Sequence, residues 1–277
     1  MTLAQRNRYF KGGIILSSLC FLTLASFAGK LLPFYPDLSA AALHRSGGAF
    51  QALAAKFFDP SPYAPFVTMT LAVIYSLSAS ILIFVFFEKT QSPEILFFGL
   101  FALSFVFEIF RIMPPLQRLY GFPSVLLVWG ARMLIFGRLL GVISLFASSV
   151  YAAGLETQKQ GRVVITMVMA ILVISIRIPV NGLAWDSSFT MIFAYGSMFR
   201  FAEDALLVIT VVSFLVSAYT RGNGEYLLIA LGVFLAALGR GLVIGADTWI
   251  TPLPGSIMLI AGTWIVTARL HQVYLWL

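Results

Sequence analysis

The sequence predicts an all-α, polytopic transmembrane helical bundle of eight spans, or seven if the first is cleaved. Three observations predict it. Hydrophobic residues make up 60% of the 277-residue chain and charged residues only 10%, whereas soluble domains carry about 25% charge. Mean hydropathy is +0.95. Uncharged apolar runs recur along the chain, each near the roughly 20 residues that a bilayer-crossing helix needs. The polar-in, apolar-out alternation of an outer-membrane barrel is absent.

The elements follow in order. Residues 1–32 comprise a basic tail with Arg6, Arg8 and Lys11, then a first apolar span from Gly12 to Leu32. Ser26-Phe27-Ala28 offers a signal-peptidase site, but the run continues to spanning length, which favours a retained helix. Residues 33–65 form the longest connection, rich in proline. Within it Leu38 to Phe58 suits either an amphipathic helix on the membrane surface or a structured loop. Residues 66–277 hold seven spans. They are predicted at Phe66–Phe87, Ile95–Met113, Pro123–Ala153, Val163–Ile178, Phe189–Tyr219, Tyr226–Ala246 and Gly255–Leu277. Pro114-Pro115 is expected to end the third span, and Asn181–Ser188 is expected to be a turn. Gly232, Gly239, Gly241 and Gly245 are read as close helix packing.

Lys and Arg in the short loops predict orientation. Arg6, Arg8, Lys11, Lys89, Lys159, Arg162, Arg221 and Arg269 fall on one side, which places the N-terminus in the cytoplasm and the protein in the cell inner membrane. The net charge of +7 contains no basic tract, so it does not point to nucleic acid. A single cysteine, Cys20, precludes an intrachain disulfide. His44 and His271 form no recognisable metal spacing. No nucleophile–base arrangement, Gly-rich phosphate loop or retinal-binding lysine is present, so a non-enzymatic protein without a cofactor is expected.

The informative residues are arginines inside apolar helices, where charge is costly unless paired, hydrated or used. Two hairpins, Ile95–Ala153 and Val163–Tyr219, look like tandem repeats. Arg111 and Arg177 precede prolines, and Arg132 and Arg200 sit in the returning helices. Arg132 lies 19 residues before Tyr151, and Arg200 lies 19 before Tyr219. A third hairpin keeps only Arg240. At about 1.5 Å per residue, Arg132 is expected roughly 13 Å from Pro123 and Arg200 roughly 16 Å from Phe189. All five then form one layer in the outer half of the bilayer, with Arg138 deeper. Glu108–Arg111 and Arg200–Asp204 can each pair along one helix face. Counting Arg138, six arginines face four acids, Glu108, Glu203, Asp204 and Asp247. The excess demands carbonyls, water, lipid phosphate or a ligand.

One leading helix, an external segment, seven spans and tiny loops resemble bacterial seven-helix sensor modules in architecture, which by itself assigns no function. The expectation is a sensor or receptor. It would bind an anionic small molecule or lipid headgroup through Arg111, Arg132, Arg177, Arg200, Arg240, Glu108, Glu203 and Asp204, and signal to a protein partner in the membrane. The alternatives are an anion transporter, which would need a polar path to the inner side, and a structural subunit of a membrane complex.

Overall fold

The computed structural model describes residues 3–31, 57–61, 63–88, 92–154, 160–222 and 224–275. Among these are eight helical segments long and apolar enough to cross a membrane. The protein is a multi-pass transmembrane helical bundle. Most of the 33–65 connection, including residues 38–56 of the expected surface helix, lies outside the described residues.

Helix α1 (Leu3–Leu31) packs along α2 (Tyr63–Phe87). The hydroxyls of Ser17 and Ser76 meet at 3.2 Å across that contact. Arg6 reaches the carbonyl of Phe87, and Asn7 donates to Glu88 O at 2.9 Å. Helix α3 (Pro93–Ser104) starts where Ser92 Oγ accepts from Ile95 N at 3.3 Å, with Pro93 in the first turn, where its missing N–H costs nothing.

The third span differs from its expected course. It does not stop at Pro114-Pro115. The chain tightens into a 3-10 stretch, Phe105–Ile112, and then starts α4 (Met113–Tyr120) with those prolines in its first turn. A helix N-terminus has unpaired N–H positions, so the prolines open a new helix on nearly the same line. Gly121, at φ 62°, ends it.

Helix α5 (Ser124–Ala152) follows. It is the hub of the bundle, packing against α3, the 3-10 stretch, α6 (Gln160–Arg177) and α7 (Gly196–Arg221). Helices α6 and α7 each lie on α5 but barely touch one another. The second of the two similar hairpins is thus splayed, while α3 and α5 in the first are in close contact.

Residues between α6 and α7 also correct the sequence reading. Val180–Trp185 (β1) and Met191–Phe193 (β2) pair antiparallel, with Val180 opposite Phe193 and Trp185 opposite Met191. The sixth span therefore begins at Gly196, not Phe189. A short apolar run such as Met191–Phe193 reads alike as strand or helix end by periodicity. The tip of this β-hairpin, Asp186–Thr190, is set into the bundle, with Ser188, Phe189 and Thr190 buried.

Helices α8 (Gly224–Val243) and α9 (Pro252–Leu275) form the closest helix pair. Gly232 and Gly239 serve that contact, as expected. Gly241 and Gly245 do not. A Cβ on Gly241 would meet nothing within 4 Å, and Gly245 takes φ 76° just beyond the end of α8. The turn after α4, the β-hairpin and the turn after α8 share one end of the bundle, the hairpin end. The start of α1 and residues 88, 92, 153–154 and 222 mark the far end.

Candidate functional site

A buried charge cluster sits under the β-hairpin. The 3-10 stretch has about three residues per turn, so residues three apart eclipse. Phe105, Glu108 and Arg111 consequently form one buried column. Arg138 of α5 faces it and grips Glu108 with a fork. Its Nε donates to Oε1 at 2.9 Å and its Nη2 to Oε2 at 3.2 Å, the bidentate geometry in which arginine and carboxylate bind best. Arg111 Nη1 lies 3.5 Å from the same Oε2.

Arg111 is only 1% exposed, yet each of its nitrogens has a partner. Nε donates to Ser188 O at 2.8 Å, Nη1 to Thr68 Oγ1 at 3.2 Å, and Nη2 to Ala246 O at 3.2 Å. One side chain thus ties together the third span, α2, the hairpin tip and the turn after α8. Arg240 extends the cluster. Its Nη2 donates to Glu203 Oε1 at 3.2 Å and to Arg138 O at 3.0 Å.

The hairpin tip is built to meet these arginines. Asp186 Oδ1 accepts from Ser188 N at 3.0 Å, Thr190 N at 2.9 Å and Ser188 Oγ at 2.7 Å. Thr190 Oγ1 in turn accepts from Arg138 Nη2 at 3.3 Å. Phe189 takes φ 60° at the tip, a left-handed conformation that costs a non-glycine residue roughly 1–2 kcal/mol. Its ring, buried with Phe66, Met69, Ile112 and Leu116, holds it there. Asp186→Ala is expected to remove about 1–3 kcal/mol of local stability by orphaning buried donors. Amide exchange of residues 186–190 should then quicken by about tenfold or more. Unchanged exchange would mean that Arg111 alone holds the tip.

Among the eight residues expected to bind a ligand, the structure brings together Arg111, Arg240, Glu108 and Glu203. Arg138, read from the sequence only as lying deeper, is central. Asp186, read as part of a turn, is the acid that the sequence count missed. Its signal was legible as an Asp followed by hydroxyls two and four residues on, a spacing suited to a self-bonded loop. Three arginines and three acids, Glu108, Glu203 and Asp186, balance the cluster, and carbonyls and hydroxyls take most of the remaining donors, though Arg240 Nε is buried without a hydrogen-bond partner. The expected excess of positive charge is absent from its centre.

The other expected residues lie elsewhere. Arg200 and Asp204 are both exposed, and no ion pair joins them among the described residues. Because α7 starts at Gly196, Arg200 sits just past its first turn, about 6 Å from its start. The 16 Å depth inferred from a start at Phe189 is corrected accordingly. Arg177 is the exposed last residue of α6. Arg132 is half-buried, with its guanidinium 5.8 Å from the Trp129 ring centroid and its Nε buried without a hydrogen-bond partner. The five arginines therefore do not form one converging layer. Among the described residues, no group of three or more His, Cys, Asp or Glu is placed to hold a metal ion.

Beside the cluster, a cavity of about 230 Å³ lies against α5 where α6 and α7 diverge from each other. Ile135 is its floor; Ile178, Pro179, Met198, Phe199 and Ala202 are its walls; Phe193 to Tyr195 form its roof.

No family model and no solved structure matches this chain. It is 30% identical over 198 residues to an uncharacterized protein of Treponema pallidum (strain Nichols). The alignment takes in 63% of this chain and 56% of that protein, so the chain spans little more than half of the relative's length.

Proposed function

We propose that this is a non-enzymatic inner-membrane protein of sensor or receptor type. It recognises an anionic group at the hairpin end through Arg132 and Arg177 and passes its state to a protein partner. The positive-inside bias puts the hairpin end outside and the N-terminus in the cytoplasm. The observation that carries the reading is a division of labour among the arginines. Arg111 and Arg138 are occupied by protein groups and fix the hairpin. Arg132 and Arg177 have no carboxylate partner among the described residues; Arg132 lies on α5, which packs against β1, and Arg177 ends α6, from which the hairpin starts.

Arg132 keeps a buried Nε unsatisfied, which costs roughly 1–3 kcal/mol until an acceptor arrives. An anion bound there would bridge α5 and α6 and brace the hairpin rooted between α6 and α7. The hairpin tip touches α2, the third span and α5, so its motion is a natural route for a signal.

Transport of an anionic solute is the weaker reading. A second polar set occupies the far end of the α3–α5 contact. Tyr274 donates to Glu94 Oε2 at 2.6 Å, Ser92 to the same oxygen at 3.0 Å, and Ser148 to Glu94 O at 3.0 Å. Glu94 is buried and has no cation partner among the described residues. An anion moving through the bundle would meet that carboxylate, and like charges repel strongly where water is scarce.

The test is hydrogen exchange of residues 180–193 in neutral detergent, with inorganic phosphate or phosphatidylglycerol added. At least one probe should slow exchange several-fold, and Arg132→Gln with Arg177→Gln should abolish the effect. Slowing of equal size in the double variant, or none in the parent, would sink the reading.

A further inference from the structure

We infer that the cleft between α6 and α7 seats one hydrocarbon chain of an anionic membrane lipid, with the lipid phosphate against Arg132 and Arg177. The inference rests on the anion-recognition reading above and names the ligand class.

The cleft follows from the packing. Helices α6 and α7 both lean on α5 without closing on each other, and the β-hairpin crosses the gap at one end. Its lining side chains are apolar apart from the phenol of Tyr195, and they come from α5, the end of α6, the hairpin exit and α7. An apolar void of this kind does not hold water stably. Its floor and its α7 wall belong to membrane-spanning helices, and Ile178 and Pro179 directly follow a third, so hydrocarbon is what fills it.

The headgroup follows from the two arginines. Arg132 lies one turn before Ile135 on α5, and residues three apart on a helix share a face. It therefore stands above the cleft floor, on the hairpin side. Trp129, one turn further, is exposed and stacks on Arg132. Tryptophan of this kind marks the membrane–water boundary, the level of lipid phosphates. Arg177 immediately precedes Ile178 and Pro179 in the cleft wall. The hairpin side of the cleft thus carries Arg132 one turn above the floor and Arg177 at the residue that leads into the wall. Arginine's planar fork suits phosphate bidentately, and a phosphate oxygen would satisfy the unpartnered Nε of Arg132. A neutral lipid would leave both charges unanswered. A partner helix is also a poor fit, because the hairpin roofs the cleft and stops a helix from running its length.

The experiment reconstitutes the whole chain in phosphatidylcholine vesicles containing phosphatidylglycerol. Lipids retained on mild detergent extraction are weighed by native mass spectrometry. A photoactivatable acyl chain maps the contact. Phosphatidylglycerol should be enriched about tenfold over its share of the bilayer, a ratio within reach of one charge-assisted bidentate contact. Cross-links should concentrate on residues 135, 178–179 and 198–202. Arg132→Gln with Arg177→Gln should remove the enrichment and leave the cross-links. Ala202→Trp should remove the cross-links. Met198→Trp repeats that test from the rim, where a side chain that is 71% exposed can change without disturbing the fold.

Cross-links spread evenly over the exposed faces of α2 and α8, or unaffected by either tryptophan, would overturn the chain site. The anion reading would survive that result if the arginine variant still lost enrichment. Enrichment that persists without both arginines would overturn the two together.

Discussion

Glu108→Ala is expected to destabilise the detergent-solubilised protein by roughly 3–5 kcal/mol, the loss that follows when one partner of a buried ion pair is removed. Among the described residues, Glu108 is the single acid that pairs with both Arg111 and Arg138. Truncating it leaves two guanidinium groups facing each other in a site where Arg111 is 1% exposed. The remaining partners of Arg111 are carbonyls and a hydroxyl, which accept hydrogen bonds without cancelling charge. Thermal unfolding followed by circular dichroism measures the effect. Glu108→Gln should fall between parent and alanine variant, because an amide keeps one acceptor and loses the charge. Replacing Glu108 and Arg138 together by Met should recover part of the loss, since paired apolar replacement of a buried ion pair is often tolerated. A loss under about 1 kcal/mol for Glu108→Ala would place the pair in the range of exposed ones and show that water reaches the cluster.

Gly262→Ala should be the second large effect. A Cβ there would lie 2.5 Å from Gly232 O and 2.7 Å from Ala236 N. Both obstacles are backbone, so no side chain can rotate away. The same holds on the other side, where a Cβ on Gly239 would lie 2.6 Å from Gly255 O. In a bilayer, helices gain little from hiding apolar surface from each other, and close backbone approach supplies the packing. Forcing α8 and α9 apart should cost about 1–3 kcal/mol and loosen the turn that presents Ala246 O to Arg111. Gly241→Ala, on α8 with open space around it, should be neutral or gain up to about 1 kcal/mol through helix propensity. Equal unfolding midpoints for Gly262→Ala and Gly241→Ala would refute the packing argument.

The spans were legible because hydropathy is summed over many residues and a bilayer fixes the length required. The Glu108–Arg111 contact was legible as well, since spacing along one segment needs no knowledge of neighbours. What stayed hidden depends on contacts between segments. Nothing local to Arg138 says that it meets Glu108, 30 residues earlier, or that Arg240 meets Glu203. The sequence depth scale failed at Arg200 because residues 180–193 form a hairpin, and the apolar residues at its end look like the start of a span. Pro114-Pro115 misled in the opposite direction. Proline breaks a helix from within but is welcome in a first turn, and the intervening 3-10 stretch supplies a new first turn. Asp186 was overlooked because a turn acid is usually only solvated, whereas this one, exposed itself, also holds Ser188 and Thr190 in their buried places.

The partners of Arg111 carry a consequence for how the chain is made. Its acceptors come from Thr68, upstream, and from Ser188 and Ala246, which are synthesised 77 and 135 residues later. While the ribosome is still working through α5, the third span enters the translocon with Glu108 as the counter-ion at hand. The 3-10 column thus supplies a neutral couple that can leave the aqueous channel before the rest of the protein exists. Arg138 follows 30 residues after Glu108, so its acid too precedes it in the chain. The hairpin and the turn after α8 come last and close over both. Glu108 is in this sense a chaperone within the chain, one that stays with both cations in the finished fold.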